Sequence, residues 1–120
     1  LGFHRNPSPL YAAADLAVHA SWSEALSNFL IEAQAHGLAG VAYAAQGIAE
    51  CWRPDRTGWT IPRDDRSAFR ATLVRLIAEP PALRATRAAD ARAYARTTFD
   101  PHRQVSDYLD LFARIGSARR

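Results

Sequence analysis

Two short apolar runs, residues 15–20 and 41–44, stand either side of a polar elbow and a helix-like stretch that ends in Gly37. No other feature constrains the fold as strongly. Each run is short enough to be a buried strand. Between them Phe29, Leu30 and Ala33, with Leu26, recur at the spacing of one helical face, and Gly37 stands where a helix would end. Strand, helix, glycine, strand is the order of a βαβ unit, whose parallel strands need cover on both faces.

In such a unit ligands gather at the carboxyl ends of the strands. A helix starting there points unpaired N–H groups and a partial positive charge into the crevice, which suits a phosphate. Glu24, Ser27 and Asn28 lie at that start, with Glu32 eight positions after Glu24. Carboxylates repel an anion, so beside one they serve better as acceptors for neighbouring hydroxyl groups. A phosphate next to hydroxyls is a nucleotide or a sugar phosphate. On spacing alone the two acids read more simply as surface residues of an amphipathic helix, and Ser27 and Asn28 as plain N-caps.

The remaining chain extends the alternation. Residues 1–4 read as the tail of a strand, and Pro9 opens a short helix through Leu10, Tyr11 and Ala14. Residues 40–44 form the second strand, 48–52 a helical turn, 54–58 a turn and 59–61 a third strand. Asp64 or Asp65 caps a helix carrying Phe69, Leu73, Leu76 and Ile77 on one face. A helix over 82–97 follows, and after Asp100 and Pro101 an amphipathic stripe of Val105, Tyr108, Leu109 and Phe112. Gly47 and Gly58 are expected in turns, Glu50 in a structural role, Trp52, Trp59 and Cys51 in packing, and His19 as a satisfied core residue. Trp22 too is expected in packing, though of the three tryptophans it is the one whose place beside the crevice would suit a sugar platform.

Composition narrows the partners. With 48% hydrophobic and 22% charged residues in 120, the chain is a globular domain rather than a disordered one. The single cysteine and four dispersed histidines offer no disulfide framework and no metal-ligand spacing. Arginines 84, 87, 92 and 96 read as a solvated face, with mild attraction to anionic lipid, rather than a nucleic-acid surface. No lysine is present to form a pyridoxal phosphate Schiff base, and no Gly-x-Gly-x-x-Gly follows a strand, which disfavours a phosphorylase and a nicotinamide-binding domain.

An ordered set of residues carries a family resemblance. It comprises Gly2, the run from Tyr11 to Asp15, Ser21, the pair Glu24 and Glu32, Ala33, Gly37, the run from Gly47 to Glu50, Gly58, Tyr108 and Phe112. Over nearly all of residues 1–115 the chain resembles the closing part of the family 4 (group 1) retaining glycosyltransferases, which have the two-domain GT-B fold. The resemblance implies an α/β fold: a partial Rossmann-like domain with a short parallel sheet of about three strands, flanking helices and a helical C-terminus. It implies a nucleotide-sugar donor, UDP- or GDP-linked, and retention of configuration without a metal or other cofactor. Glu24 would be the catalytic-site carboxylate, on a hydroxyl of the transferred sugar, and Glu32 would hold the ribose hydroxyls. The backbone around Ala25, Leu26, Ser27 and Asn28 would meet the diphosphate, with Phe3 and His4 near the base.

The chain departs from the family pattern at Ala25, Leu26 and Ser27, where Gly-Phe-Gly or Gly-Leu-Pro is usual, and at Ala39, where proline is usual. The domain reading is residues 1–115 as the C-terminal portion of a nucleotide-sugar-binding domain truncated on its N-terminal side, and 116–120 as a tail. The acceptor, a glycan, lipid or small molecule, would then bind a missing N-terminal domain. The isolated chain is expected to be inactive, the full-length enzyme to be a cytoplasmic hexosyltransferase with peripheral membrane contact, and nucleic acid to play no part. The alternative is a non-catalytic α/β assembly module that forms a homodimer through an open sheet edge.

Overall fold

In the computed structural model, which describes residues 2 and 4–117, three parallel strands form one sheet in the order β1-β2-β3. The chain runs α1 (Ser8–Ala12), β1 (Leu16–His19), α2 (Asn28–Ala35), β2 (Ala39–Tyr43), a 3-10 turn (Ile48–Cys51), β3 (Gly58–Ile61), then α3 (Arg66–Ile77), α4 (Pro81–Thr98) and α5 (Pro101–Ser117). Val18 pairs with Val41 across the first ladder, and Val41 with Trp59 across the second.

The alternation of a strand divides the core in two. On one face Ala17 and Ala42 pack with Tyr11, Leu30, Ala33, Leu38, Ile48, Cys51 and Trp52. On the other, Ala39 and Val41 pack with Trp59, Ile61, Phe69 and Leu76. The Trp52 ring lies flat across β2 and β3, where a Cβ on Gly40 or Gly58 would strike it. Gly58 is therefore a strand residue that admits a ring, not the turn residue the sequence implied. Gln34, wholly buried, donates from Nε2 to the carbonyls of Leu38 at 2.8 Å and Thr57 at 3.1 Å, tying α2 to the turn before β3.

Far from the elbow, β3, α3 and α4 are joined by one cluster. The guanidinium groups of Arg75 and Arg87 each lie over the Trp59 ring, 4.8 and 4.9 Å from its centre. Glu79, 9% exposed, accepts two hydrogen bonds from Arg87, at 2.7 and 2.9 Å, and one from Arg75 at 3.4 Å. Arg87 is thus a packing residue and not part of a solvated arginine face. Sequence reasoning missed it because the partner acid and the ring come from other elements.

Several boundaries shift. Gly2 and His4 carry no strand, while Leu1 and Phe3 lie outside the described residues. The main helix starts only at Asn28, so Leu26 precedes it, and both Leu26 and Phe29 are exposed where an inner face was expected. The apolar stripe of α5 is present, yet none of that helix is buried among the described residues.

Candidate functional site

Beyond the carboxyl ends of the strands, residues 20–27 form an irregular elbow between β1 and α2. Ser27 ends it: buried, with extended backbone, its Oγ accepts from the Leu30 amide at 3.5 Å and its carbonyl from Ile31 at 3.1 Å. The amides of Asn28 and Phe29 precede the first intrahelical bond, as at any helix start. Support comes from the loop after β2. Gly47 takes a left-handed backbone, φ 76°, and a Cβ there would run into the Ala25 carbonyl. The Cys51 Sγ lies 3.5 Å from the Gly47 carbonyl and 3.9 Å from that of Ser27. Burial pushes the thiol pKa up, so it stays protonated at neutral pH. Ala25 needs no glycine-like backbone: Asp55 is the non-glycine residue with positive φ among those described.

Glu24 sits on this elbow rather than on the helix, so the expected helix carrying both acids holds only Glu32. Glu24 Oε1 lies 2.7 Å from Nε2 of His19, the last residue of β1. His19 shares the inward face of β1 with Ala17 and meets the Phe29 ring at 5.8 Å. Glu32 Oε2 accepts from the Tyr11 hydroxyl at 2.9 Å. Tyr11 in turn stacks on His36 at 4.8 Å and lies 6.1 Å from Phe29. His36, Tyr11, Phe29 and His19 therefore form one row of rings along the β1 side of α2. The row holds one candidate carboxylate at each of two points.

Neither His19 nor Tyr11 was assigned a role beyond packing or motif membership. A signal existed for His19: it is a polar residue on the inward face of a strand, at its carboxyl end. For Tyr11 there was none, because its bond to Glu32 depends on how α1 folds over α2.

The other candidates fall elsewhere. Leu26 and Asn28 are exposed and line a groove of about 800 Å³ with Ile31 and the α4–α5 corner, including Arg103, Asp107 and Tyr108. Neither Glu24 nor Glu32 lines it, so the elbow presents two sides rather than one cleft. Trp22, beside Glu24 in sequence, is 60% exposed. His4 is exposed ahead of α1, and Phe3 lies outside the described residues. Among the described residues no group of three or more His, Cys, Asp or Glu side chains is placed to hold a metal ion. None of the described helices is long and apolar enough to cross a membrane.

Comparison with known proteins bears on this arrangement. The family described as "Glycosyl transferases group 1" matches residues 1–79. The D-inositol 3-phosphate glycosyltransferase of Salinispora arenicola (strain CNS-205) is 35% identical over 109 residues, 91% of this chain and 24% of that protein. Its namesake from Salinispora tropica is 33% identical over 111 residues, 92% of this chain and 23% of that protein. The chain thus spans about a quarter of the length of these curated relatives. Among solved structures, the sucrose-phosphate synthase of Thermosynechococcus elongatus superimposes with a TM-score of 0.78 at 26% identity, over 91% of this chain and 27% of that one. A family match over residues 1–79, spanning all three strands and α2, makes the chain a member of the group 1 glycosyltransferases.

Proposed function

We propose that residues 1–115 are the closing portion of the nucleotide-sugar-binding domain of a retaining GT-B glycosyltransferase, with 116–120 a tail. The donor is a UDP- or GDP-linked hexose, and the acceptor is a glycan, lipid or small molecule held by a domain outside this chain. In this reading Glu32 accepts from the ribose hydroxyls and Glu24 from a hydroxyl of the transferred sugar. The backbone of Ala25 and Leu26 and the amides of Ser27 and Asn28 face the diphosphate, while Phe3 and His4 lie near the base. When the bond from the sugar to the diphosphate breaks, its electron pair leaves with the diphosphate. Fixed N–H donors at a helix start stabilise that charge without having to reorganise. The reading gives no step to a metal or other cofactor. It sets the protein in the cytoplasm, with peripheral membrane contact.

One observation carries the reading: Glu24 and Glu32 stand on the same ring row, Glu24 beside the last residue of β1 and Glu32 one turn into α2. To test it, UDP, GDP and their sugars are titrated against the wild type and Glu32→Ala while tryptophan emission is followed, with exposed Trp22 as reporter. Weak binding that the substitution lowers is expected. No response from either protein overturns the reading. The isolated chain is expected to transfer no sugar, and robust turnover by it would refute that part.

The outer position of β1 among the described strands favours a second reading, a homodimer paired edge to edge. Sedimentation showing a monomer at high concentration rejects it.

A further inference from the structure

Glu32 is a long, flexible side chain on the exposed surface of α2, where an unrestrained carboxylate would sample several rotamers. Here it does not stand alone. Phe29, Glu32 and His36 share one face of α2, since residues three and four apart are neighbours on a helix. Tyr11 lies across all three: tilted against the Phe29 ring, stacked on the His36 ring, and bonded to Glu32 between them. The ring is largely buried and is the buried anchor of α1. His36 closes the arrangement from below, with its Nδ1 2.8 Å from the Glu32 carbonyl. One carboxylate oxygen, Oε2, is thereby fixed by a donor on a rigid ring, and Oε1 has no partner among the described residues.

We propose that Tyr11 is a positioning residue: its hydroxyl occupies one oxygen of Glu32 and presents the other to a nucleotide's ribose hydroxyls. This rests on the donor-binding role assigned to Glu32 above. Tyr11 itself need not touch the ligand. It takes one oxygen out of competition and removes the rotamer freedom that binding would otherwise have to quench. The hydroxyl can only donate in this arrangement. Burial, then the hydrogen bond to Glu32 and its charge, push its pKa up to about 12, so the proton stays on the phenol throughout the working range.

The test uses the natural full-length protein and four probes: UDP, GDP and their 2′,3′-dideoxy counterparts. Binding is measured for the wild type, Tyr11→Phe, Glu32→Ala and the double variant. The wild type is expected to prefer the ribose form about tenfold, and Glu32→Ala to lose that preference. Tyr11→Phe keeps the ring and its stacking but should cut the preference to about twofold, leaving affinity for the dideoxy probes unchanged. In the Glu32→Ala background the second substitution should do nothing more. A merely structural tyrosine would shift binding of all four probes alike. Full ribose preference in Tyr11→Phe, with Glu32→Ala defective, overturns the positioning role and leaves the donor site standing. No ribose preference in the wild type overturns both.

Discussion

Glu79 and the pair Glu24 and Glu32 are acids of the same chain put to opposite uses. Glu79 is buried between α3 and α4, and both its oxygens are taken by guanidinium groups. Glu24 and Glu32 each have one oxygen bonded, by His19 and Tyr11, and one without a partner among the described residues. A carboxylate whose bonds are all internal can only hold the fold together. One that is anchored by half and open by half is positioned, yet still has an acceptor to offer. The difference lies not in burial alone but in how many lone pairs the fold itself consumes.

The comparison breaks first at Glu79. Glu79→Ala strands Arg87, whose side chain is 15% exposed, and should cost about 3 kcal/mol. In a domain of this size that is a fall of about 10 °C in melting temperature, read by circular dichroism. Nucleotide binding by the folded fraction should not change. A neutral Glu79→Ala would mean that solvent already screens the cluster, and the contrast between the two kinds of acid would fail.

Gly47→Ala probes the elbow from beneath. The left-handed backbone and the Ala25 carbonyl together should make it cost about 2 kcal/mol, or push the elbow aside. Because the elbow carries Glu24 and leads to Ser27, a loss of sugar-nucleotide binding larger than the loss of stability would show that the loop after β2 shapes the site. Equal losses would confine Gly47 to folding.

How much of this was legible beforehand follows from what each feature depends on. The three parallel strands were readable because buried strands are short apolar runs, and Ala17, Val41 and Ile61 satisfy that pattern without tertiary context. The C′ glycine at 37 was readable for the same local reason, and its φ is 86°. Where α2 begins was not. Leu26 and Phe29 continue the helical spacing, but Ser27 takes extended backbone and its hydroxyl accepts from Leu30, which fixes the start at Asn28. Glu24 and Glu32 stood out through spacing and resemblance. That His19 and Tyr11 anchor them did not, since each bond joins separate elements. Arg87 was misread for that reason too: a run of arginines on a helix says nothing of the Trp59 ring and Glu79 carboxylate that fold against one of them.

Glu32→Ala sharpens the contrast with Glu79→Ala. Removing an exposed carboxylate that bonds only Tyr11 should cost about 1 kcal/mol of stability, a third of the Glu79 effect. Affinity for UDP or GDP should fall about tenfold, which is about 1.4 kcal/mol. Isothermal titration beside thermal melting gives both numbers. The opposite ranking, with stability lost and affinity kept, would turn Glu32 into another Glu79.

The smallest effect appears only in alkali, and its sign can be fixed in advance. An unfolded tyrosine releases its proton near pH 10.0, whereas folded Tyr11 keeps it to about 12. Between those values the folded chain binds more protons than the unfolded one, so stability falls as pH rises through the window. Below it the Tyr11 contribution is fully present and flat. Tyr11→Phe removes the ionisable group, so the variant should lose less stability than the wild type over that window, as read from denaturant midpoints. Glu32→Ala should flatten the slope only in part. Burial is the largest cause of the shift and survives the substitution, while the hydrogen bond and the charge do not. A slope equal in wild type and Glu32→Ala would mean that the carboxylate contributes nothing to holding the phenol, and the half-anchored state of Glu32 would lose its physical basis.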